Sequence, residues 1–177
     1  MINASLVKQL RDLTGAGMMD CKKALVETNG DIEEAVKYLR EHGIAKAAKK
    51  ADRIAAEGKC DFAILDNKAV IFEINSETDF VAKNDNFLKL VESIGQLIVT
   101  SNATNTEEAL QVTNDQGESI EKLLITATAT IGEKISLRRV QVITKTEGQV
   151  FGAYSHMGGK IISLALLDGA NEETAKD

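Results

Sequence analysis

The feature that most constrains this chain is a change of hydrophobic period at Gly58. Before it, apolar residues recur at helical spacing; after it, they alternate. Leu6, Leu10 and Leu13 stand at i, i+4 and i+7, one face of a helix. "TGAG", Thr14 to Gly17, breaks that helix, and a second runs from about Met18 to Thr28, ended by Asn29-Gly30 as left-handed caps do. Asp31 caps a third, with Glu34 at the capping-box position and Ile32, Ala35, Val36 and Leu39 facing inward. Beyond Gly58, Cys60, Phe62 and Ile64 alternate with Asp61, Ala63 and Leu65. Asp66-Asn67 makes a tight turn, and Val70, Phe72 and Ile74 then alternate with Ile71, Glu73 and Asn75. This is an antiparallel hairpin.

The switch divides the chain. Three helices in residues 1–42 bury little surface, so they form a small module that needs a neighbour or a partner. Residues 43–57 read as a helical connector, with Lys46, Lys49, Lys50 and Arg53 on one face and no stripe of bulky apolar residues. Residues 58–177 read as one domain. Its first hairpin is followed by a helix marked by Phe87, Leu90, Val91, Ile94 and Ile98. The polar loop "TSNATNTEEAL" and a helix around Ile120, Leu123, Leu124 and Ala127 come next. A strand in "IGEKISLRRVQVIT" and a second hairpin, "GQVFGAYSH" with "KIISLALL", complete the order. Strands, helices, then strands again predict an α+β fold, an antiparallel sheet with helices packed on one side.

Several functions are disfavoured by composition. No apolar run approaches the roughly 20 residues of a membrane span, and "MINASLVKQLRDL" lacks the layout of a signal peptide. Cys21 and Cys60 lie far apart without CxxC spacing, which fits reduced thiols in a cytoplasmic protein, and with His42 and His156 they form no recognisable zinc set. Residues 1–58 carry ten basic against nine acidic side chains, whereas residues 59–177 carry eleven against eighteen. That acidic body argues against nucleic acid as the chief partner. No nucleophile–base spacing accompanies His156, and "GAG" at Gly15 to Gly17 follows no strand and precedes no Gly-Lys-Ser/Thr. The chain is therefore expected not to be an enzyme and to carry no cofactor or metal.

What remains looks made for contact. Met18 and Met19 sit where a loop enters a helix; they either close the three-helix core or face a partner. The Lys46/Lys49/Lys50/Arg53 face is a solvated stripe, or else a site for nucleic acid or an acidic partner. In "INSETDFVAKNDNF", Asp79 and Phe80 stand at the corner between strand and helix. By pattern alone, Asp79 caps a turn and Phe80 packs beneath it, the alternative being a Phe held outward.

The chain resembles the elongation factor Ts family, guanine-nucleotide exchange factors of translation. "LRDLTGAGMMDCKKAL", Leu10 to Leu25, looks like the family's N-terminal signature, and with "NGDIEEAVKYLR" it forms a module similar to ubiquitin-associated domains. "KAAKKADRIAAEG" is similar to the family connector, and "ETDFVAKND", Glu77 to Asp85, to its most diagnostic motif. "IGEKISLRRV", Ile131 to Val140, and "YSHMGGKI" match the first half of the family core. The resemblance implies that Thr78, Asp79, Phe80 and Val81 intrude near the Mg²⁺ site of elongation factor Tu, with Phe80 as an apolar wedge. It implies further contacts to the same partner from Ile131, Gly132 and His156, and from Arg11, Met18 and Met19. Family members usually continue into a second core half, so affinity and a possible homodimer that replaces that half stay open. The alternatives are a non-exchanging adaptor that uses the N-terminal helices, and an RNA-binding domain centred on the connector.

Overall fold

The computed structural model describes residues 2–171 and 173–176. They group into two compact units: Met1–Arg53 with Leu124–Lys134, and Ile54–Leu123 with Ile135–Asp177.

In the first unit, α1 (Ala4–Thr14), α2 (Met18–Glu27) and α3 (Ile32–Ala48) enclose a small core. Two of the three helix starts, those of α1 and α3, are fixed by a side-chain cap. The Asn3 side chain accepts from the Leu6 N–H at 2.8 Å, and Asp31 accepts from the Glu34 N–H at 2.9 Å. The predicted box is half formed, because the Glu34 side chain pairs with Lys37 at 2.6 Å instead of reaching back. Val7, Leu10, Ala16, Cys21, Ala24, Leu25 and Ala35 are buried together, with Ile32, Val36 and Leu39 packed around them. Leu13, predicted on the inner face, is instead 64% exposed. Val7 takes that place: the buried stripe of α1 runs through Leu6, Val7 and Leu10, and Leu13 has turned off it. α3 continues past residue 42 to Ala48, after which residues 49–52 turn.

The second unit is built on an antiparallel sheet ordered β1 (Glu57–Leu65), β2 (Lys68–Ser76) and β3 (Ser136–Thr144). The predicted hairpin closes between Leu65 and Lys68, with Asp66 in the left-handed region at φ 52°. One sheet face carries Val70, Phe72 and Ile74, all buried, and α5 (Asp85–Thr100) packs over β1 and β2 through Phe87, Val91, Ile94 and Ile98. Helix and sheet approach closely at Gly95, where a Cβ would fall 2.8 Å from the Phe72 ring. Direct partners across a ladder share a face, so Lys59, Asp61 and Ala63 of β1 lie on the helix side, opposite Ile74, Phe72 and Val70. The Lys59 ammonium and Asp61 carboxylate meet there at 2.7 Å.

β1 is an edge strand, and two of its outward N–H groups are occupied. The Cys60 N–H donates to the Gly159 carbonyl at 2.8 Å, and the Phe62 N–H donates to the neighbouring Asp61 carboxylate at 3.0 Å. The "TSNATNTEEAL" segment, expected as loop, contains a short helix, α6 (Thr106–Gln111), with Asn105 as its cap. α7 (Ile120–Ile131) follows, and β4 (Gln149–His156) pairs with β5 (Ile161–Asp168) as a separate two-stranded sheet. Helices and antiparallel sheets thus form an α+β protein.

Candidate functional site

β2 ends at Ser76, fully buried, whose hydroxyl donates to the Thr78 carbonyl at 3.0 Å. That bond turns the chain into a one-turn helix, α4 (Asp79–Ala82). Thr78 is its N-cap, and its hydroxyl oxygen accepts from the Val81 N–H at 3.4 Å. The cap is therefore Thr78 and not Asp79, because the extended backbone at Thr78 (φ −125°, ψ 156°) is what an N-cap requires. Asp79 does something else: its carboxylate takes the Lys83 ammonium at 2.7 Å, an i,i+4 pair. Hydrogen bonding to Lys83, reinforced by its charge, holds the Asp79 carboxyl below the ordinary carboxylate range and raises the Lys83 ammonium in return.

A single helical turn has two sides. Ala82 is buried and Val81 half-buried, so they anchor the turn to the unit. Phe80 points the other way and is 82% exposed. The pattern-based expectation of a Phe packed under the corner is overturned: the buried aromatics of this unit are Phe72 and Phe87.

His156 closes β4, exposed, and lies in the same unit as the corner. Its Nδ1 is 3.2 Å from the Tyr154 hydroxyl, and the two rings stack with centroids 6.0 Å apart. The turn after it holds three successive residues at positive φ: Met157 at 50°, Gly158 at 67° and Gly159 at 92°. Met157 is 69% exposed. The sequence reading missed it, although a Met preceding Gly-Gly in a hairpin turn has no core to enter.

The remaining candidates belong to the first unit. Arg11 lies exposed in the last turn of α1. Met18 and Met19 open α2 and are 47% and 74% exposed, so they do not close the three-helix core. Ile131 ends α7 half-buried, and Gly132 follows with its carbonyl accepting the Lys50 ammonium. Lys50 is thereby drawn out of the expected basic face, and Lys46 is held by Asp20 at 2.6 Å. Two of the four basic side chains of that face thus spend a bond on this unit's own groups.

Among the described residues, no group of three or more His, Cys, Asp or Glu side chains could hold a metal ion. A cavity of about 470 Å³ beside β1 is lined by Lys59, Asp61, Phe62, Leu88 and Glu92 among others, with neither thiol nor imidazole in it. No helix among the described residues is long and apolar enough to cross a membrane.

Fold and site together define an α+β protein that carries its distinctive side chains outward on turns rather than inward toward a pocket. Comparison with known proteins gives this class a family. The family described as Elongation factor TS matches residues 77–177. The chain is 61% identical over 176 residues to the elongation factor Ts of Acholeplasma laidlawii, covering 99% of this chain and 60% of that protein. It is 55% identical over 175 residues to the elongation factors Ts of Streptococcus thermophilus and Lactococcus lactis subsp. cremoris, covering 99% of this chain and 51% of each. The chain belongs to the elongation factor Ts family. It spans between half and three-fifths of the length of these relatives.

Proposed function

We propose that this chain acts in translation elongation, in the cytoplasm, as a guanine-nucleotide exchange factor that binds elongation factor Tu–GDP and promotes release of GDP. The observation that carries the reading is Phe80, 82% exposed on a turn fixed by Thr78, Ser76 and the Asp79–Lys83 pair. A large apolar side chain held outward on a short, braced turn loses little freedom on insertion.

No bond to substrate need form. GDP is held in a GTPase largely through phosphate contacts and Mg²⁺, a strong local charge. A protein that binds the GTPase better when that site is disordered weakens metal and nucleotide to the same degree, by linkage. Moving such an equilibrium from 1:99 to 99:1 takes about 5.5 kcal/mol of differential binding. Burial of one Phe supplies about 1.5–3 kcal/mol. Phe80 therefore acts with other contacts, for which His156, Ile131, Gly132, Arg11, Met18 and Met19 are the candidates. GTP rebinding then frees the factor unchanged.

The test is release of labelled GDP from purified elongation factor Tu at several Mg²⁺ concentrations. Phe80→Ala is expected to slow stimulated release by about tenfold to a hundredfold, the equivalent of the lost burial. Equal rates from an equally folded variant overturn the wedge. The exposure of Met18 and Met19 supports a second reading, an adaptor without exchange activity. Stable binding with unchanged release distinguishes it.

A further inference from the structure

Corner and hairpin tip lie about eighty residues apart in sequence, yet both are tied to the start of β1. Glu57, the first residue of β1, sits opposite Ser76, the residue whose hydroxyl turns the chain into the corner. The Lys160 ammonium pairs with the Glu57 carboxylate. Three residues on, the Cys60 N–H donates to the Gly159 carbonyl. Asp79 and Lys83 are close enough to be felt: Lys160 contributes to lowering the Asp79 carboxyl, and Glu57 to raising the Lys83 ammonium. Two ion pairs, Asp79–Lys83 at the corner and Glu57–Lys160 at the tip, therefore flank the start of β1.

The fit at the tip is tight. A Cβ on Gly159 would fall 2.5 Å from Lys59 Cγ and 2.6 Å from the Cys60 carbonyl oxygen, at a φ of 92° that side chains rarely adopt. The Lys160–Glu57 pair, by contrast, is 43% and 40% exposed. Pairs that open to solvent add little to stability. What an exposed pair can do is select one docking orientation for the hairpin.

We propose that Lys160 is a positioning residue, which with the Gly159–Cys60 bond locks the β4–β5 tip to the start of β1 so that His156 and Phe80 meet one partner surface in a fixed relation. The inference rests on the exchange-factor reading above. It separates two roles: Phe80 disturbs the nucleotide site, and the lock sets how readily the two-pronged surface is recognised. Loss of the lock therefore weakens recognition and spares the maximal rate. Loss of Phe80 lowers the maximal rate itself.

The test measures stimulated GDP release against concentration of the GTPase for wild type, Phe80→Ala, Lys160→Gln, Lys160→Arg, Glu57→Gln and the Lys160→Gln/Glu57→Gln double variant. Lys160→Gln is expected to raise KM on the order of tenfold, with kcat and melting temperature kept, since misplacement of about 1 Å is enough for such a loss. Lys160→Arg should retain wild-type KM, and the double variant should be no worse than either single one. Gly159→Ala should raise KM further and speed hydrogen exchange at the Cys60 amide. Wild-type KM in Lys160→Gln, or fully additive losses in the double variant, overturns the lock while leaving the exchange-factor reading intact. A wild-type chain that leaves GDP release unchanged overturns that reading, and the lock's functional role with it.

Discussion

Asp79 carries a carboxylate exposed to water and still held below its ordinary pKa by Lys83. A depressed carboxyl contributes in the ionised state, so its effect is complete above the ordinary carboxylate range and fades as pH falls through the lowered value. Between pH 5 and 8 the pair is constant, and the corner's presentation of Phe80 should not vary with Asp79 ionisation. An NMR titration of the Asp79 carboxyl checks this: its midpoint should lie below the usual Asp value and return toward it in Lys83→Ala. A midpoint unaffected by that substitution removes the pair as the cause. Phe80 itself was not legible from pattern, because one aromatic beside a corner fits a buried plug as well as an exposed wedge. What decides is which aromatics the core takes, here Phe72 and Phe87, and no local stretch of sequence shows that choice.

At the scale of elements, α5 against β1 and β2 is the packing on which the corner rests. Phe87 stands in the first turn of α5, fully buried, five residues beyond the end of α4 at Ala82. Phe87→Ala should cost about 3–5 kcal/mol, the usual price of deleting a buried aromatic, read as a loss in urea midpoint at constant slope. Gly95→Ala sets two effects against each other. Helix propensity gains about 1 kcal/mol, while the added methyl meets the Phe72 ring at 2.8 Å and overpacking costs about 1–3 kcal/mol. A net loss is expected, and a stabilised variant would show that the ring yields easily. The long helices and both hairpins were readable because their periods extend over many residues. α4 and α6 were not, since a four- or six-residue helix has too few positions to show a period, and its start is marked only by a Thr or an Asn. Alternation in β1 announced a strand without choosing its inner face. The bulkier set, Cys60, Phe62 and Ile64, lies away from α5, and the ion-paired Lys59 and Asp61 lie toward it.

Taken as a whole molecule, the chain relies on packing and local caps, without covalent ties. Cys21 and Cys60 are both free, and burial raises both thiols above their ordinary pKa. A raised thiol is mostly protonated at neutral pH and a poor nucleophile. Native protein should therefore react slowly with a disulfide reagent at pH 7, with Cys21, fully buried in the three-helix core, reacting only on unfolding. Rapid modification of Cys21 under native conditions would show that this core opens readily. The acidic second half of the chain and the internal use of Lys46 and Lys50 were each partly visible beforehand: the first as a charge count, the second only once Asp20 and the Gly132 carbonyl were placed. Helix and hairpin content could be read along the chain. The grouping of Leu124–Lys134 with the first unit could not, because long-range contact leaves no periodic trace.

The outer side of β1 has a consequence for how the protein behaves when it is abundant. A bare strand edge is a template on which other chains can stack, and crowding favours such stacking. Here the amide of Phe62 is satisfied by the carboxylate next to it, and that of Cys60 by the hairpin tip. An incoming strand would have to break these internal bonds before forming its own. At these two amides β1 is thus closed to fibril growth, so the sheet that braces an exposed phenylalanine has a guarded margin of its own.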